Sequence, residues 1–219
     1  MNVNYANQIL VAAAATLGIA AQTQAFELNQ LTTRVRALYI EPADKSDAIS
    51  ALAVPKNSID VASKWAPDID FEYAVTPNVG IELLLTIPQK HSIVARQTSL
   101  GPNVSLGSVT HLPPTLTAKY YFLTDTFRPY VGAGLNFTWF TKNDLALGGA
   151  GGTHLGAEST SVGGALQAGI DVSLSEEWSL SLDAKKAWIS TDVSLNGTKL
   201  TTVGVNPWIV GVGLGYRLR

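Results

Sequence analysis

The chain has 219 residues, a formal net charge of −2, 46% hydrophobic and 15% charged residues, and no cysteine. That length suits one domain, the lack of thiols excludes disulfides and thiolate chemistry, and the lack of a Lys/Arg cluster argues against nucleic acid as a partner. Charged content falls well below the roughly 25% of an average soluble domain, and beyond the N-terminus no apolar run reaches the ~18 residues of a membrane-spanning helix, so apolar surface must be spread over many short segments.

The chain opens with a 13-residue apolar run, Ile9 to Ala21, followed by Gln22-Thr23-Gln24-Ala25. Thr23 and Ala25 suit the small-residue positions of a signal peptidase site, so residues 1–25 are expected to be a cleavable signal peptide and residues 26–219 the mature domain. Met1 to Gln8 carries no Lys or Arg, and a buried or interfacial N-terminal helix is the alternative.

Eight segments then carry strand signals: Thr32 to Glu41, Ala66 to Thr76, Val79 to Gln89, Val109 to Leu123, Arg128 to Thr141, Thr160 to Leu174, Trp178 to Val193 and Thr202 to Leu218. Short turns at Thr76-Pro77-Asn78, Thr124-Asp125-Thr126 and Ser175-Glu176-Glu177 join the second strand to the third, the fourth to the fifth and the sixth to the seventh. The other connections, Pro42 to Trp65, Lys90 to Ser108, Lys142 to Ser159 and Ser194 to Thr201, are longer and less regular. Short turns at one end and long loops at the other are the asymmetry of an outer-membrane barrel. The expected fold is therefore all-β, an eight-stranded antiparallel transmembrane β-barrel with periplasmic termini, in the outer membrane of a Gram-negative bacterium. A soluble lipocalin-like barrel is the competing reading of the same composition.

Period-two alternation assigns the faces. In the third strand Val79, Ile81, Leu83, Leu85 and Ile87 point to lipid and Gly80, Glu82, Leu84 and Thr86 point inward. In the fourth, Leu112, Pro114, Leu116, Ala118, Tyr120 and Phe122 face out against Thr115, Thr117, Lys119 and Tyr121. The fifth sends Val131, Ala133, Leu135, Phe137 and Trp139 out, and the last sends Trp208, Val210, Val212, Leu214 and Tyr216 out. Inward Gly132, Gly134, Gly211, Gly213 and Gly215 suit a narrow lumen.

Aromatic residues fall at strand ends, Tyr120, Phe122, Trp178 and Tyr216 near the short turns and Trp65, Trp139, Trp188 and Trp208 near the long connections. Two interfacial girdles are expected from this clustering, which a soluble core does not require. Adjacent Lys185 and Lys186 must point to opposite faces. Lys186, about 20 Å above Trp178 if each residue climbs roughly 2.5 Å, reaches the outer interface and can snorkel there. Arg36 is expected to do the same at the inner interface.

His91, His111 and His154 all fall in or beside long connections and match no metal-ligand spacing, so solvated loop histidines are expected and no metal or other cofactor is. No Gly-x-Ser-x-Gly elbow is present, and Leu147-Gly-Gly-Ala-Gly-Gly152 lacks the Gly-Lys-Ser/Thr ending of a phosphate loop. No enzyme is expected. The inward polar residues Asp70, Glu82, Lys119, Tyr121, Asp183 and Lys185 either line a selective pore or pair with one another to plug it, since buried charges need partners. Pro88 and Pro113-Pro114 remove donors from the ladder, and a symmetric Lys90 to Ser108 loop sets Pro88 opposite Pro113. The two readings are a lateral opening in the wall and a local bulge. Ile49, Leu52, Val54, Leu145, Leu147 and Leu155 are candidate apolar residues at the mouth.

His111-Leu-Pro-Pro-Thr-Leu-Thr-Ala-Lys-Tyr-Tyr-Phe122 and Arg128-Pro-Tyr-Val-Gly-Ala-Gly-Leu-Asn-Phe-Thr-Trp-Phe140 resemble the signature of the outer membrane protein W family. Asn78 to Pro88 with His91, and Pro207-Trp208 through Gly215-Tyr216-Arg217, resemble its third and last strands. The resemblance implies a barrel with a hydrophobic internal channel that passes small hydrophobic molecules, with exit sideways through the wall. It also implies outer-membrane lipid and, during biogenesis, the barrel assembly machinery as partners. Two departures stand out: the chain ends Tyr216-Arg217-Leu218-Arg219 rather than in a terminal aromatic, and Lys185-Lys186 replaces apolar or aromatic residues. A sealed structural barrel whose loops bind phage, bacteriocin or host surfaces is the alternative function.

Overall fold

The computed structural model describes residues 30–43, 45–48, 55–98, 101–122, 126–147 and 152–218. The expected signal peptide, and Ile49, Leu52 and Val54, lie outside the described residues, as does the side chain of Leu147.

In chain order the strands are β1 Leu31–Glu41, β2 Lys45–Ser46, β3 Ile59–Val61, β4 Lys64–Ala74, β5 Val79–Thr86, β6 Gln89–Thr98, β7 Gly101–Leu112, β8 Thr115–Tyr121, β9 Phe127–Leu147, β10 Thr153–His154, β11 Gly156–Ala157, β12 Thr160–Ser173, β13 Trp178–Ala187, β14 Ser190–Leu195, β15 Thr198–Gly204 and β16 Trp208–Arg217. Eight of these, in the order β12-β13-β16-β1-β4-β5-β8-β9, pair antiparallel and close on themselves through β9 and β12. Closure gives every wall strand two neighbours, the only way a sheet satisfies its backbone in lipid.

The alternation read from the sequence holds around this wall. Ile81, Leu83, Leu85, Leu116, Val131, Leu135, Phe137, Val210 and Leu214 are exposed on its outside, while Glu82, Thr115, Thr117, Lys119, Tyr121, Asn136 and Thr138 are buried within it. Gly134 shows why the lumen favours glycine, since a Cβ there would lie 1.9 Å from the Leu116 carbonyl oxygen.

The long connections differ from expectation. Lys90 to Ser108 is mostly the β6–β7 hairpin, and Ser194 to Thr201 is the tip of β14–β15, turned by Asn196 and Gly197 with φ of 50° and 80°. That pair of positive φ values is the hairpin turn for which Asn-Gly is suited. β9 runs unbroken from the wall into this extension, where β7, β6 and β3 continue its sheet and β11, β14, β15 and β2 form a second one. The barrel thus extends well past the outer girdle as a smaller, second-storey sheet pair.

Candidate functional site

The two storeys are filled differently. In the lower barrel β1 points Arg34 and Arg36 inward, facing Asp68, Asp70 and Glu72 of β4, Glu82 of β5, Lys119 of β8, Asp171 of β12 and Asp183 and Lys185 of β13. The inward position of Arg36 overturns its expected lipid-side snorkelling. Val35 and Ala37 take the outer face, and Arg36 meets Asp68 at 2.9 Å and Asp70 at 3.1 Å. Glu82 accepts from Lys119 and Lys185, both at 2.9 Å, and Glu72 from Lys119 at 2.8 Å and Arg34 at 2.9 Å. Arg34 also reaches Asp171 at 2.8 Å, Tyr121 donates to Glu72 at 2.7 Å, and Tyr130 donates to Asp183 at 2.8 Å. All the polar residues singled out in the lumen, Asp70, Glu82, Lys119, Tyr121, Asp183 and Lys185, belong to this one network. Interlocked side chains of this kind fill the section and leave the barrel a polar floor.

Lys186 lies in register with Trp208, donates to the Asn206 carbonyl oxygen, and holds its ammonium 5.1 Å from the Trp208 ring centroid. The aromatic residues expected at the interfaces, Trp65, Tyr120, Phe122, Trp139, Trp178, Trp188, Trp208 and Tyr216, are all exposed on the outside. Trp178 packs on Tyr216 at 4.9 Å and Tyr120 on Phe122 at 5.4 Å near the short turns, and Tyr39 packs on Trp65 at 5.2 Å toward the other end.

Above the floor lies a thin apolar layer of Leu38, Ile40, Ala66 and Ile209, and then a chamber of about 60 Å³. Ile59, Val61, Ile93, Leu106, Val109 and Leu145 form part of its lining, with Leu155 bonded beside Leu145 and Val193 and Val203 contributed by β14 and β15. Of the residues expected at the mouth, Leu145 and Leu155 are therefore chamber lining. Beside Ile59 and Val61 of β3, Leu145 of β9 and Leu155, the apolar set comes from alternate positions of β6, β7, β14 and β15, whose outer positions include Lys90, Ser92, Arg96, Asn103, Ser105 and Lys199. Such strands have oil inside and water outside, the reverse of the wall below.

A break separates the storeys on one side. The β5–β8 register ends at Leu84↔Thr115 and the β6–β7 register begins at Gln89↔His111. Four residues, Leu85 to Pro88, therefore face three, Leu112 to Pro114, outside either ladder. The extra residue makes neighbours Ile87 and Pro88 both point outward and restores Gln89 to the inside, so a bulge is present. It also moves Pro88 from the expected Pro113 pairing toward Leu112. The matching level of β13–β14 and β15–β16 is sewn by main-chain bonds, Ala187 N to Pro207 O at 3.2 Å and Val205 N to Ile189 O at 2.9 Å. Prolines at 88, 113 and 114 have no N–H for such stitches. The Pro113 and Pro114 carbonyls are instead met from β9: Asn136 Nδ2 donates to them at 3.3 and 3.4 Å, and Phe137 N donates to Pro114 O at 2.9 Å. This role of Asn136 is not readable from its own strand, because it depends on the β8–β9 register.

His91 and His111 overturn the expectation of solvated loop histidines. Their rings stack at 5.1 Å and 13°, buried at the foot of the chamber, with Phe140 5.7 Å from His111. His91 Nδ1 lies 3.0 Å from the Ala62 carbonyl oxygen, which only accepts, so Nδ1 carries the proton and Nε2 is an acceptor. Burial lowers the His91 pKa; burial, the neighbouring His91 and Lys64 push that of His111 down to about 3. Both rings are neutral at physiological pH. His154 is exposed, and among the described residues no cluster of His, Asp and Glu has the arrangement of a metal site.

Comparison with known proteins agrees with this architecture. The OmpW family model matches residues 28–218. Outer membrane protein W of Vibrio cholerae is 34% identical over 191 residues, 81% of this chain and 83% of that protein. The dibenzothiophene metabolism operon protein PahQ of Pseudomonas aeruginosa is 29% identical over 143 residues, 64% of each chain. The crystal structure of the outer membrane protein OprG from Pseudomonas aeruginosa superposes with a TM-score of 0.72 at 28% identity, covering 85% of this chain and 94% of that one. A closed eight-stranded wall with an apolar outside, together with a family match across nearly all of the described chain, leads to one assignment: this chain belongs to the OmpW family of outer-membrane β-barrels.

Proposed function

We propose that the barrel is a passive route by which small hydrophobic molecules cross the outermost layer of the cell and enter the membrane sideways. The chamber carries this reading: an apolar cavity open to no apolar path downward, because the floor beneath it is filled by ion pairs. A molecule that prefers oil over water by about 25 cal/mol per Å² of apolar surface gains nothing by entering a charged floor and much by reaching lipid. The bulge at Ile87-Pro88, opposite Pro113-Pro114, is the exit this reading assigns. Leu145 and Leu155 hold the molecule on the way. In this arrangement the short turns and both termini face the periplasm, residues 1–25 act as the signal peptide, and the β6–β7 and β14–β15 hairpins face outward. Assembly in this reading relies on the barrel assembly machinery.

Uptake of a hydrophobic fluorescent reporter into proteoliposomes tests the proposal. Wild-type protein accelerates uptake and shows no ion conductance. A barrel that shows neither flux nor conductance is instead the sealed receptor or structural protein, a reading that the filled floor also favours.

A further inference from the structure

Two three-strand rows on the outer face, on different sides of the barrel, differ in charge. Across β13, β16 and β1, Lys186, Trp208 and Glu41 stand side by side in register. That row is balanced: the Lys186 ammonium is taken by the Asn206 carbonyl oxygen and the Trp208 ring, and Glu41 accepts from Tyr39 at 2.9 Å. Across β6, β7 and β9 the row reads Lys90, Thr110 and Lys142. Both lysines are exposed, and Thr110 stands half-buried between them. Lys64, at the upper end of β4, adds a third charge, since its ammonium donates to the Lys90 carbonyl oxygen at 3.4 Å. Among the described residues no carboxylate forms an ion pair with Lys64, Lys90 or Lys142, Asp144 at the next outward position of β9 included.

Height identifies the kind of anion that fits. The row lies two positions of β7 above the Leu112↔Trp139 pair, about 5 Å higher at roughly 2.5 Å per residue. Trp139 and Trp65 are exposed girdle residues, and interfacial aromatics mark the headgroup level, so these ammoniums stand where a lipid carries its phosphates. Positions two strands apart are separated by about 10 Å, a gap that two flexible four-carbon stems close around one phosphate. Ammonium groups hold phosphate by charge-assisted hydrogen bonds, and a threonine hydroxyl between them is a further donor. A free anion is held only weakly by exposed, screened charges. An anion with acyl chains adds apolar contact with the wall below.

Resting on the orientation in the reading above, with the upper storey outward, we propose that Lys64, Lys90 and Lys142 form a docking site for a phosphate of the glycolipid in the outer leaflet. The row is the first above Gln89↔His111, where the β6–β7 ladder begins. Acyl chains descending from a headgroup held there run over Ile87, Pro88, Pro113 and Pro114, so the bound lipid covers the break.

Full-length protein folded in nonionic detergent micelles is titrated with bisphosphorylated lipid A, the anchor of that glycolipid, with the same lipid stripped of its phosphates, and with inorganic phosphate. Bound lipid is counted by native mass spectrometry. Wild-type protein is expected to bind lipid A at least about tenfold more tightly than the dephosphorylated form, the scale of one charge-assisted hydrogen bond. K90Q/K142Q should lose that preference while keeping the heat-dependent gel shift of a folded barrel. K90R/K142R should retain most of it, and K199Q, at the β14–β15 tip, all of it. Equal affinity for the two lipids in the wild type, or a preference that survives K90Q/K142Q, overturns the site. Displacement of lipid A by an equal concentration of inorganic phosphate makes it a site for free anions and overturns the lipid assignment. Reporter uptake is read separately: intact uptake without a lipid A preference removes the docking site alone, and a preference without uptake removes the transport reading alone.

Discussion

The lower and upper storeys of this barrel share β9, are otherwise built from different strands, and have opposite polarity. Below the break, Leu83, Leu116 and Leu135 face out and Glu82, Thr117 and Asn136 face in; above it, Ile93, Leu106 and Leu145 face in while Arg96, Ser105 and Asp144 face out. One side is designed for lipid outside, the other for water. The comparison shows that hydrophobic alternation alone does not mark a membrane strand; its phase must be followed along the chain, and here the phase changes where ladders stop.

The largest effect should come from breaking the lower storey. Glu82→Gln removes the carboxylate shared by Lys119 and Lys185 and leaves buried cations short of a partner. A loss of about 3–5 kcal/mol is expected in urea unfolding from lipid vesicles, the usual cost of orphaning one member of a buried ion pair. Wild-type stability in that variant would show the floor to be wetter than its geometry implies.

Breaking the upper storey should leave folding alone and remove flux. Leu145→Asp with Leu155→Asp places charge on the chamber wall, where an apolar solute loses its contacts, and reporter uptake should drop by at least about tenfold. Unfolding in urea should change little, since the lower wall is untouched. If uptake persists, the chamber is not on the route.

A third comparison uses acid. His91 and His111 are held neutral, their folded pKa values below the ordinary 6.5 and that of His111 down to about 3. A depressed basic group favours the folded state fully above about pH 6.5, and that contribution is lost as pH falls toward the folded value, because the unfolded chain takes up the proton first. Amide protection factors in β6 and β7, taken against the intrinsic exchange rate at each pH, should therefore fall between pH 6.5 and about 3, and H91F/H111F should remove that part of the dependence. Protection factors in β6 and β7 that are flat with pH in the wild type would contradict the burial of the pair.

The smallest effect is expected at the seam. Pro113→Val with Pro114→Thr returns two N–H donors at about 1 kcal/mol per hydrogen bond formed, and should lower flux severalfold while raising stability slightly. Unaltered flux would reduce the break to the bulge that the sequence already allowed as an alternative.

Much of the lower storey was legible because lipid imposes a strict period of two: the outward and inward sets of β5, β8, β9 and β16 were readable residue by residue. The opposite pointing of Lys185 and Lys186 was readable for the same reason. Arg36 was misplaced because a cation near a strand end fits lipid snorkelling as well as a lumen, and only the β1–β4 register brings Asp68 and Asp70 to it. Of the upper storey, Pro42 to Trp65, Lys90 to Ser108, Lys142 to Ser159 and Ser194 to Thr201 were read as loop, and Ser190 to Val193 as a continuation of the wall strand. The strands there are short, their phase differs from the wall, and Asn196-Gly197 was the one local signal strong enough to reveal a hairpin. His91 and His111 were beyond local reading, since their stacking depends on how the β6–β7 hairpin pairs.

The charged floor has a consequence for the cell as a whole. Ion pairs that already hold one another offer a hydrated ion neither open space nor an unclaimed counter-charge. If the proposed route holds, such a barrel admits oily compounds while its own lumen gives ions no path, separating uptake from leakage within one narrow protein.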